Sequence, residues 1–227
     1  MYLRVAVKER ISGREIAIYR GEGSLSEKDE YITMLHGAGG TVMHSLVRNY
    51  VLKYFGGSDI EVPLEALDDA AVIDDIVLKS DSHAVKPLFF PGGDIGRIAV
   101  AGTVNDIAVL GAEPYALACG FILEEGLPLR DFERILASMQ RTCREAGVSI
   151  VTGDTKVVEK GNLGGCVINT SGIGRRTEAL ERNLEVVKKY RSGFEARWIL
   201  DSNLRKGDRI IVSGTIGDHG LAVLSAQ

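Results

Sequence analysis

The sequence predicts an α+β fold built on a mixed sheet. Strand-like and helix-like runs alternate irregularly along the chain, without the strict βαβα order of a doubly wound sheet. Neighbouring apolar runs are often close enough to pair antiparallel. The chain has 227 residues, 45% hydrophobic and 26% charged, enough to bury a substantial core without disulfide or metal staples.

The elements follow in order. Residues 1–21 read as a hairpin, with alternating runs at 2–7 and 15–19 flanking Ile11-Ser12-Gly13. Residues 21–30 are polar and glycine-bearing, as a linker is. The glycine-rich turn His36-Gly37-Ala38-Gly39-Gly40 leads to Thr41, an N-cap candidate, and then to a helix with Val42, Leu46, Tyr50 and Tyr54 on one face. Asp68-Asp69 precedes a short strand at 70–73, and a second apolar run, 76–79, ends just before Asp81. Pro91-Gly92-Gly93 opens a helix carrying Ile95, Ile98, Ala99, Ile107 and Leu110, stopped by Gly111. A strand over 115–123 follows, then an amphipathic helix marked by Phe132, Ile135, Leu136, Met139 and Cys143 and ended by Gly147. A short strand at 148–151 runs into Gly153-Asp154-Thr155-Lys156, and 167–173 is the next strand. Residues 175–205 are charge-rich with a helix near 179–190. Residues 209–214 then read as a strand and 217–225 as a helix. The expected organisation is an N-terminal hairpin and linker (1–30), a main domain (31–175), and a charged connector with the beginning of a truncated second domain (176–227).

A formal net charge of -4 gives no basic field for nucleic acid. No apolar run is long enough to span a bilayer, and Met1 to Arg10 mixes charges with apolar residues, unlike a secretory signal; a cytoplasmic location is expected. Cys119, Cys143 and Cys166 are odd in number, irregularly spaced and set among apolar neighbours, so they read as buried thiols.

Five aspartates, Asp69, Asp81, Asp106, Asp154 and Asp218, lie at element ends or beside glycine, with Asp106 set inside an otherwise apolar helical stretch. Carboxylates converging from several elements repel one another and call for a hard cation. Without histidine or cysteine partners they suit Mg²⁺ and phosphate oxygens better than zinc. For each aspartate alone, a turn or cap role is the simpler reading. Gly92-Gly93 at a helix start could cradle an anion, or simply make a turn. Lys86 and Lys156 could neutralise phosphate, although most lysines are solvated surface groups. No Walker-type loop is present, so nucleotide binding here would need another design. His36 and His83 read as loop histidines, which are usually exposed.

These residues fall into longer runs. Asp81-Ser82-His83-Ala84-Val85-Lys86-Pro87-Leu88-Phe89-Phe90-Pro91-Gly92-Gly93-Asp94-Ile95-Gly96 closely resembles the hydrogenase expression/formation protein E family, which belongs with the aminoimidazole ribonucleotide synthetase-like proteins. So do Gly102-Thr103-Val104-Asn105-Asp106, Gly111-Ala112-Glu113-Pro114, Val151-Thr152-Gly153-Asp154-Thr155-Lys156-Val157-Val158 and Ser213-Gly214-Thr215-Ile216-Gly217-Asp218-His219-Gly220. The resemblance runs from about Leu35 to Gln227. It implies an N-terminal α/β domain whose mixed sheet dimerises into a β-barrel, with Mg-ATP near the dimer interface. It implies Mg²⁺ on Asp69, Asp81, Asp106 and Asp154, with Asp218 a further candidate. It places Lys86, Gly92, Gly93, Asn105, Gly153, Thr155 and Lys156 around ATP, with Lys156 and His83 as catalytic candidates. The implied activity is that of a carbamoyl dehydratase in nickel–iron hydrogenase maturation. ATP activates a thiocarboxamide on the protein's own C-terminal cysteine, and dehydration gives the thiocyanate that supplies cyanide. The implied partners are a carbamoyltransferase and an iron-scaffold complex. The family's C-terminal Pro-Arg-Ile-Cys tail does not occur in these 227 residues, so nucleotide binding, rather than the complete reaction, is the expectation for this chain alone. Two other readings stand beside it. One is a small-molecule kinase of the thiamine-monophosphate kinase type, which Asp68-Asp69-Ala70-Ala71 fits equally well. The other is a non-catalytic dimerisation module for maturation partners.

Overall fold

The computed structural model describes the backbone of residues 6–11 and 14–19, and residues 31–227 in full. The expected linker at 21–30 lies outside the described residues, as do the first part of the 2–7 run and the centre of the hairpin turn. The chain divides into two compact units, residues 1–59 and 60–227.

In the first unit, β1 (Ala6–Ile11) and β2 (Arg14–Tyr19) pair antiparallel, from Ala6↔Tyr19 to Ile11↔Arg14. His36 is buried in a 3₁₀ turn, where its Nδ1 lies 2.9 Å from both the Thr33 amide and the Thr33 hydroxyl. This differs from the exposed loop histidine expected there. The helix expected to be continuous is interrupted: α1 (Gly40–Leu46) and α2 (Leu52–Phe55) flank a π-helical segment, Val47–Val51.

The second unit is built on a five-stranded sheet of order β3-β4-β9-β7-β8, made of β3 (Ala71–Ile73), β4 (Ile76–His83), β7 (Glu113–Glu124), β8 (Ile150–Val158) and β9 (Cys166–Arg175). Only β7 and β8 pair in parallel. Their crossover carries α4 (Leu129–Ala146), so the mixed character of the sheet comes from one βαβ unit. Between β4 and β7 the chain forms the small hairpin β5 (Phe89–Phe90) and β6 (Gly93–Asp94), then α3 (Ile95–Val109). The β3–β4 turn is Asp74-Asp75, with φ of 50° and 62°, the two-residue left-handed turn that suits tight hairpins.

Alternation along β9 sets the two faces of the sheet. Cys166, Ile168, Thr170, Gly172 and Gly174 are buried, while Val167, Asn169, Ser171, Ile173 and Arg175 face the other way. The buried face packs on α3 through Ile95, Ala99, Thr103 and Ile107, spaced four apart, and on α4 through Ile135, Met139 and Cys143. Thr103 and Thr170 join their hydroxyls at 2.6 Å, and Thr170 also donates to the Ala99 carbonyl at 2.7 Å, so these buried polar groups are satisfied. All three cysteines are buried, and burial pushes the Cys119 and Cys166 thiols up to about 11.

Two sequence expectations change here. The strand expected at 148–151 begins at Ile150 and continues to Val158, so Gly153-Asp154-Thr155-Lys156 lies within β8 rather than after it. Residues 209–214 form no strand. Ile211 there is 92% exposed, and a lone strand without a ladder partner leaves its backbone groups and side chains to solvent. The charged stretch after Arg175 contains α5 (Glu178–Tyr190), whose Leu180 and Leu184 join Trp198, Val72, Val77, Ile107 and Leu110 in a second core cluster. The chain ends in α6 (Asp218–Leu224).

Candidate functional site

Lys79, Asp81 and His83 alternate along β4, so their side chains share the face that meets α3. On α3, Gly102 and Asp106 are four residues apart and lie one above the other. The two surfaces meet closely. A Cβ built on Gly102 would lie 2.7 Å from His83 Cε1 and 3.1 Å from Asp81 Oδ2. One turn further, the Lys79 ammonium lies 2.6 Å from Asp106 Oδ2. Asp81 uses Oδ1 to accept from the Ser82 amide at 2.9 Å, and its Oδ2 lies 3.4 Å from His83 Nε2. That nitrogen is buried and makes no hydrogen bond, because the carboxylate is near it but out of line. Burial lowers the His83 pKa, opposed by the negative charges of Asp81 and Asp106, so the imidazole is held neutral. From the neighbouring strand, the Asn169 amide donates to the Asp81 carbonyl at 3.0 Å and to the Ser82 hydroxyl at 2.9 Å, fixing this end of β4.

The other candidate residues are distributed elsewhere. Asp154 is in register with Gly120, which pairs with Asn169, which pairs with Ser82. It therefore lies on the open face of the sheet, opposite the face that carries Asp81, and Lys156 is two residues along on the same side. Thr155 and Gly153 point to the helix side of β8, and all four residues are exposed on this edge strand. Asp69 is exposed in the loop before β3, where its amide donates to Asp68 Oδ1. Burial raises the Asp68 pKa, against the hydrogen bonds it accepts. Asn105 is exposed on α3. Asp218 accepts from the Thr215 hydroxyl at 2.6 Å, and His219 stacks edge-on against Phe90 with ring centroids 5.4 Å apart.

The segment with Lys86, Gly92 and Gly93 has its own geometry. Pro91-Gly92 forms the turn between β5 and β6, and Gly92 has φ of 85°, which Pro-Gly supplies without strain. Asp94 caps α3 by accepting from the Arg97 amide at 3.0 Å, so a carboxylate already meets the positive helix end. Lys86 is exposed, and its carbonyl accepts from the Gln227 amide at 3.0 Å.

Residues 67–176 match the family of AIR synthase related proteins, as its N-terminal domain. Carbamoyl dehydratase HypE of Azotobacter vinelandii is 44% identical over 196 residues, covering 86% of this chain and 52% of that protein. The chain matches the N-terminal part of the HypE family. A crystal structure of hydrogenase maturation protein HypE is 46% identical, covers 77% of this chain and 49% of that one, and superposes with a TM-score of 0.56. A HypE solved in complex with HypF is 50% identical and covers 59% of this chain and 43% of its own, with a TM-score of 0.55. The chain thus spans about half the length of the curated relatives it matches.

Against this family background the structure sorts the expected metal set. Asp81 and Asp106 offer hard oxygen ligands from the two sides of one strand–helix contact. Asp81 lies beside the buried His83 nitrogen, which makes no hydrogen bond, and beside Gly102, whose missing Cβ admits both side chains, and Asp106 meets Lys79 one turn further. Asp69 and Asp154 are not gathered with them. Among the described residues no group of three or more histidine, cysteine or acidic side chains forms a ready-made metal cage. Lys79 is a site residue beyond those expected from the motifs, and the alternation Lys79-Ser80-Asp81-Ser82-His83 is the signal that places it on the same face as Asp81. Among the described residues no helix is long and apolar enough to cross a membrane.

Proposed function

We propose that this chain carries the Mg-ATP-binding part of a carbamoyl dehydratase of nickel–iron hydrogenase maturation. The observation that carries the reading is the contact of β4 with α3, where Asp81 meets Gly102 and Asp106 meets Lys79 one turn further, inside the segment that matches the AIR synthase related family. In this reading Asp81 and Asp106 are the metal ligands at the β4–α3 contact, and Asp69 and Asp154, which lie apart from them, are ligand candidates at a separate position. Lys86 and Lys156 face the phosphates, with Gly92, Gly93, Asn105, Gly153 and Thr155 around the nucleotide. Bound Mg²⁺ supplies charge neutralisation at the triphosphate, which is most of what phosphoryl transfer asks of a protein. The γ-phosphoryl group passes from ATP to the oxygen of a thiocarboxamide, releasing ADP and one N–H proton, and elimination of phosphate with the second N–H proton leaves a thiocyanate. Cys119, Cys143 and Cys166 are poor carriers for that group: each is buried with its pKa raised, and the thiolate is the nucleophile. His83, packed against Gly102 with its Nε2 3.4 Å from Asp81 Oδ2, remains the catalytic candidate beside that carboxylate, with Lys156 the other.

The same reading takes the protein as a homodimer joined through the open sheet face and acting with a carbamoyltransferase and an iron-scaffold complex. The relative solved with HypF supports a maturation partner. The test is calorimetric. Asp81→Asn, Asp106→Asn and Asp154→Asn are each expected to weaken Mg-ATP binding about tenfold or more, with circular dichroism unchanged. Unchanged affinity in both Asp81→Asn and Asp106→Asn would overturn the site. Unchanged affinity in Asp154→Asn alone would remove that residue from the ligand set. Turnover of thiamine monophosphate would move the reading to a small-molecule kinase.

A further inference from the structure

We infer that Lys79 is the resident cation of the Asp81–Asp106 site, so that the chain takes up a divalent ion together with nucleotide phosphate rather than alone. The inference rests on the Mg-ATP reading above and adds a residue and an order of binding to it. Lys79 Nζ lies 2.6 Å from Asp106 Oδ2, and the two side chains are only 20% and 27% exposed, so solvent screens the pair poorly. Lys79 and Asp81 lie two residues apart on one face of β4, and Asp106 meets that face from α3. Two carboxylates and one ammonium leave these three side chains one negative charge.

A divalent ion arriving alone meets Asp106 already neutralised, and it meets an ammonium of like sign. Displacing Lys79 would then leave a largely buried cation without a partner, which is costly. A metal arriving on a triphosphate changes the balance. The metal takes Asp106, and the phosphate oxygens offer the freed ammonium a new anionic partner. Lys86 and Lys156 are exposed and form none of the ion pairs among the described residues, so neither exchanges partners in this way. In the absence of nucleotide, the Lys79–Asp106 pair keeps the two carboxylates from repelling each other, so the site persists without metal.

The test uses Mn²⁺ as an electron-paramagnetic probe on the 227-residue chain, added alone and as Mn-ATP. Lys79→Gln, which keeps a hydrogen-bond donor but loses the charge, is expected to bind Mn²⁺ alone about tenfold more tightly than the unaltered chain. Its preference for Mn-ATP over Mn²⁺ should shrink by at least as much. Lys79→Arg retains the cation and is expected to bind Mn²⁺ alone as weakly as the unaltered chain. Free Mn²⁺ binding no tighter in Lys79→Gln overturns the inference. If Lys79→Gln does not fold, the side-chain nitrogen resonance of Lys79 in the unaltered chain carries the test. It should move on addition of Mg-ATP and hold still in the same concentration of Mg²⁺; movement with Mg²⁺ alone, or none with Mg-ATP, overturns the inference. Asp81→Asn and Asp106→Asn separate the two levels. If both still bind Mn-ATP normally, the site reading itself fails. If both lose Mn-ATP while the Lys79 results fall out as overturning, only the exchange fails.

Discussion

A methyl group added at Gly102 would sit 2.7 Å from His83 Cε1 and 3.1 Å from Asp81 Oδ2, closer than side-chain carbons tolerate. In an ordinary helix the change from glycine to alanine is favourable by about 1 kcal/mol. Here overpacking in a close strand–helix contact costs about 1–3 kcal/mol and falls on the residues proposed to hold the metal. Gly102→Ala is therefore expected to lower the melting temperature and to weaken Mg-ATP binding about tenfold, read by calorimetry. A stabler variant with unchanged affinity would show that α3 does not press on the site. Position 102 was legible only as part of a motif, because glycine in a sequence does not announce which side chains its missing Cβ admits. Asp106 was legible, since a carboxylate within an apolar helical run needs a partner. That the partner is Lys79 was not, because a lysine and an aspartate twenty-seven residues apart in sequence are joined only by the docking of α3 on β4.

At the scale of elements, the β8–β9 connection is organised by one carboxylate. Glu124, at the end of β7, accepts from the amides of Gly161 at 2.6 Å, Leu163 at 3.1 Å and Gly165 at 2.9 Å. The Leu163 amide, with those of Gly161 and Gly165, holds the Glu124 pKa below its ordinary value. A carboxyl whose folded pKa is depressed contributes its stabilisation above the unfolded pKa and loses it as pH falls through the folded one. The amide resonances of Gly161, Leu163 and Gly165 are expected to titrate together, with a midpoint below that of an ordinary glutamate. In Glu124→Gln they should be shifted already at neutral pH and stay flat through the acid range; a surviving acid titration would place the carboxylate elsewhere. This connection matters to the site because Gly164 and Gly165 pack beside Lys86 and Leu88. The sequence showed the strands on either side, through their alternation, but not the tie. It also placed Gly153-Asp154-Thr155-Lys156 after a short strand, because an edge strand exposed along nearly all its length lacks the burial pattern that marks its continuation.

At the scale of the whole unit formed by residues 60–227, the alternation and helix periodicity were enough to foresee an α+β fold with a mixed sheet, whereas packing of the later residues was not. Leu180, Leu184 and Trp198 come from the charge-rich stretch, yet they complete the second core beside Val72, Val77 and Ile107. Charges dominate its composition because they line the outer side of α5. The Trp198 indole donates to Glu61 at 2.7 Å, and Arg197 reaches Glu61 and Asp75 at 2.7 Å each, so polar ties at the rim fix an apolar contact beneath. The open face of the sheet is the remaining surface of the unit with a consequence for assembly. Leu78 pairs across strands with both Ala71 and Ile173, and Ile73 pairs with Ile76, giving a row of exposed aliphatic side chains at one end of that face. Asp154 and Lys156 lie on the same face toward β8, so the proposed docking of a second copy would bring its sheet against residues proposed for the nucleotide site. An acidic side chain at position 78 would be desolvated without a partner in such an interface. Leu78→Glu is therefore expected to shift sedimentation from dimer toward monomer and to weaken Mg-ATP binding with it, while the fold is retained. A variant that stays dimeric, or one that becomes monomeric with full nucleotide affinity, would separate the assembly from the site.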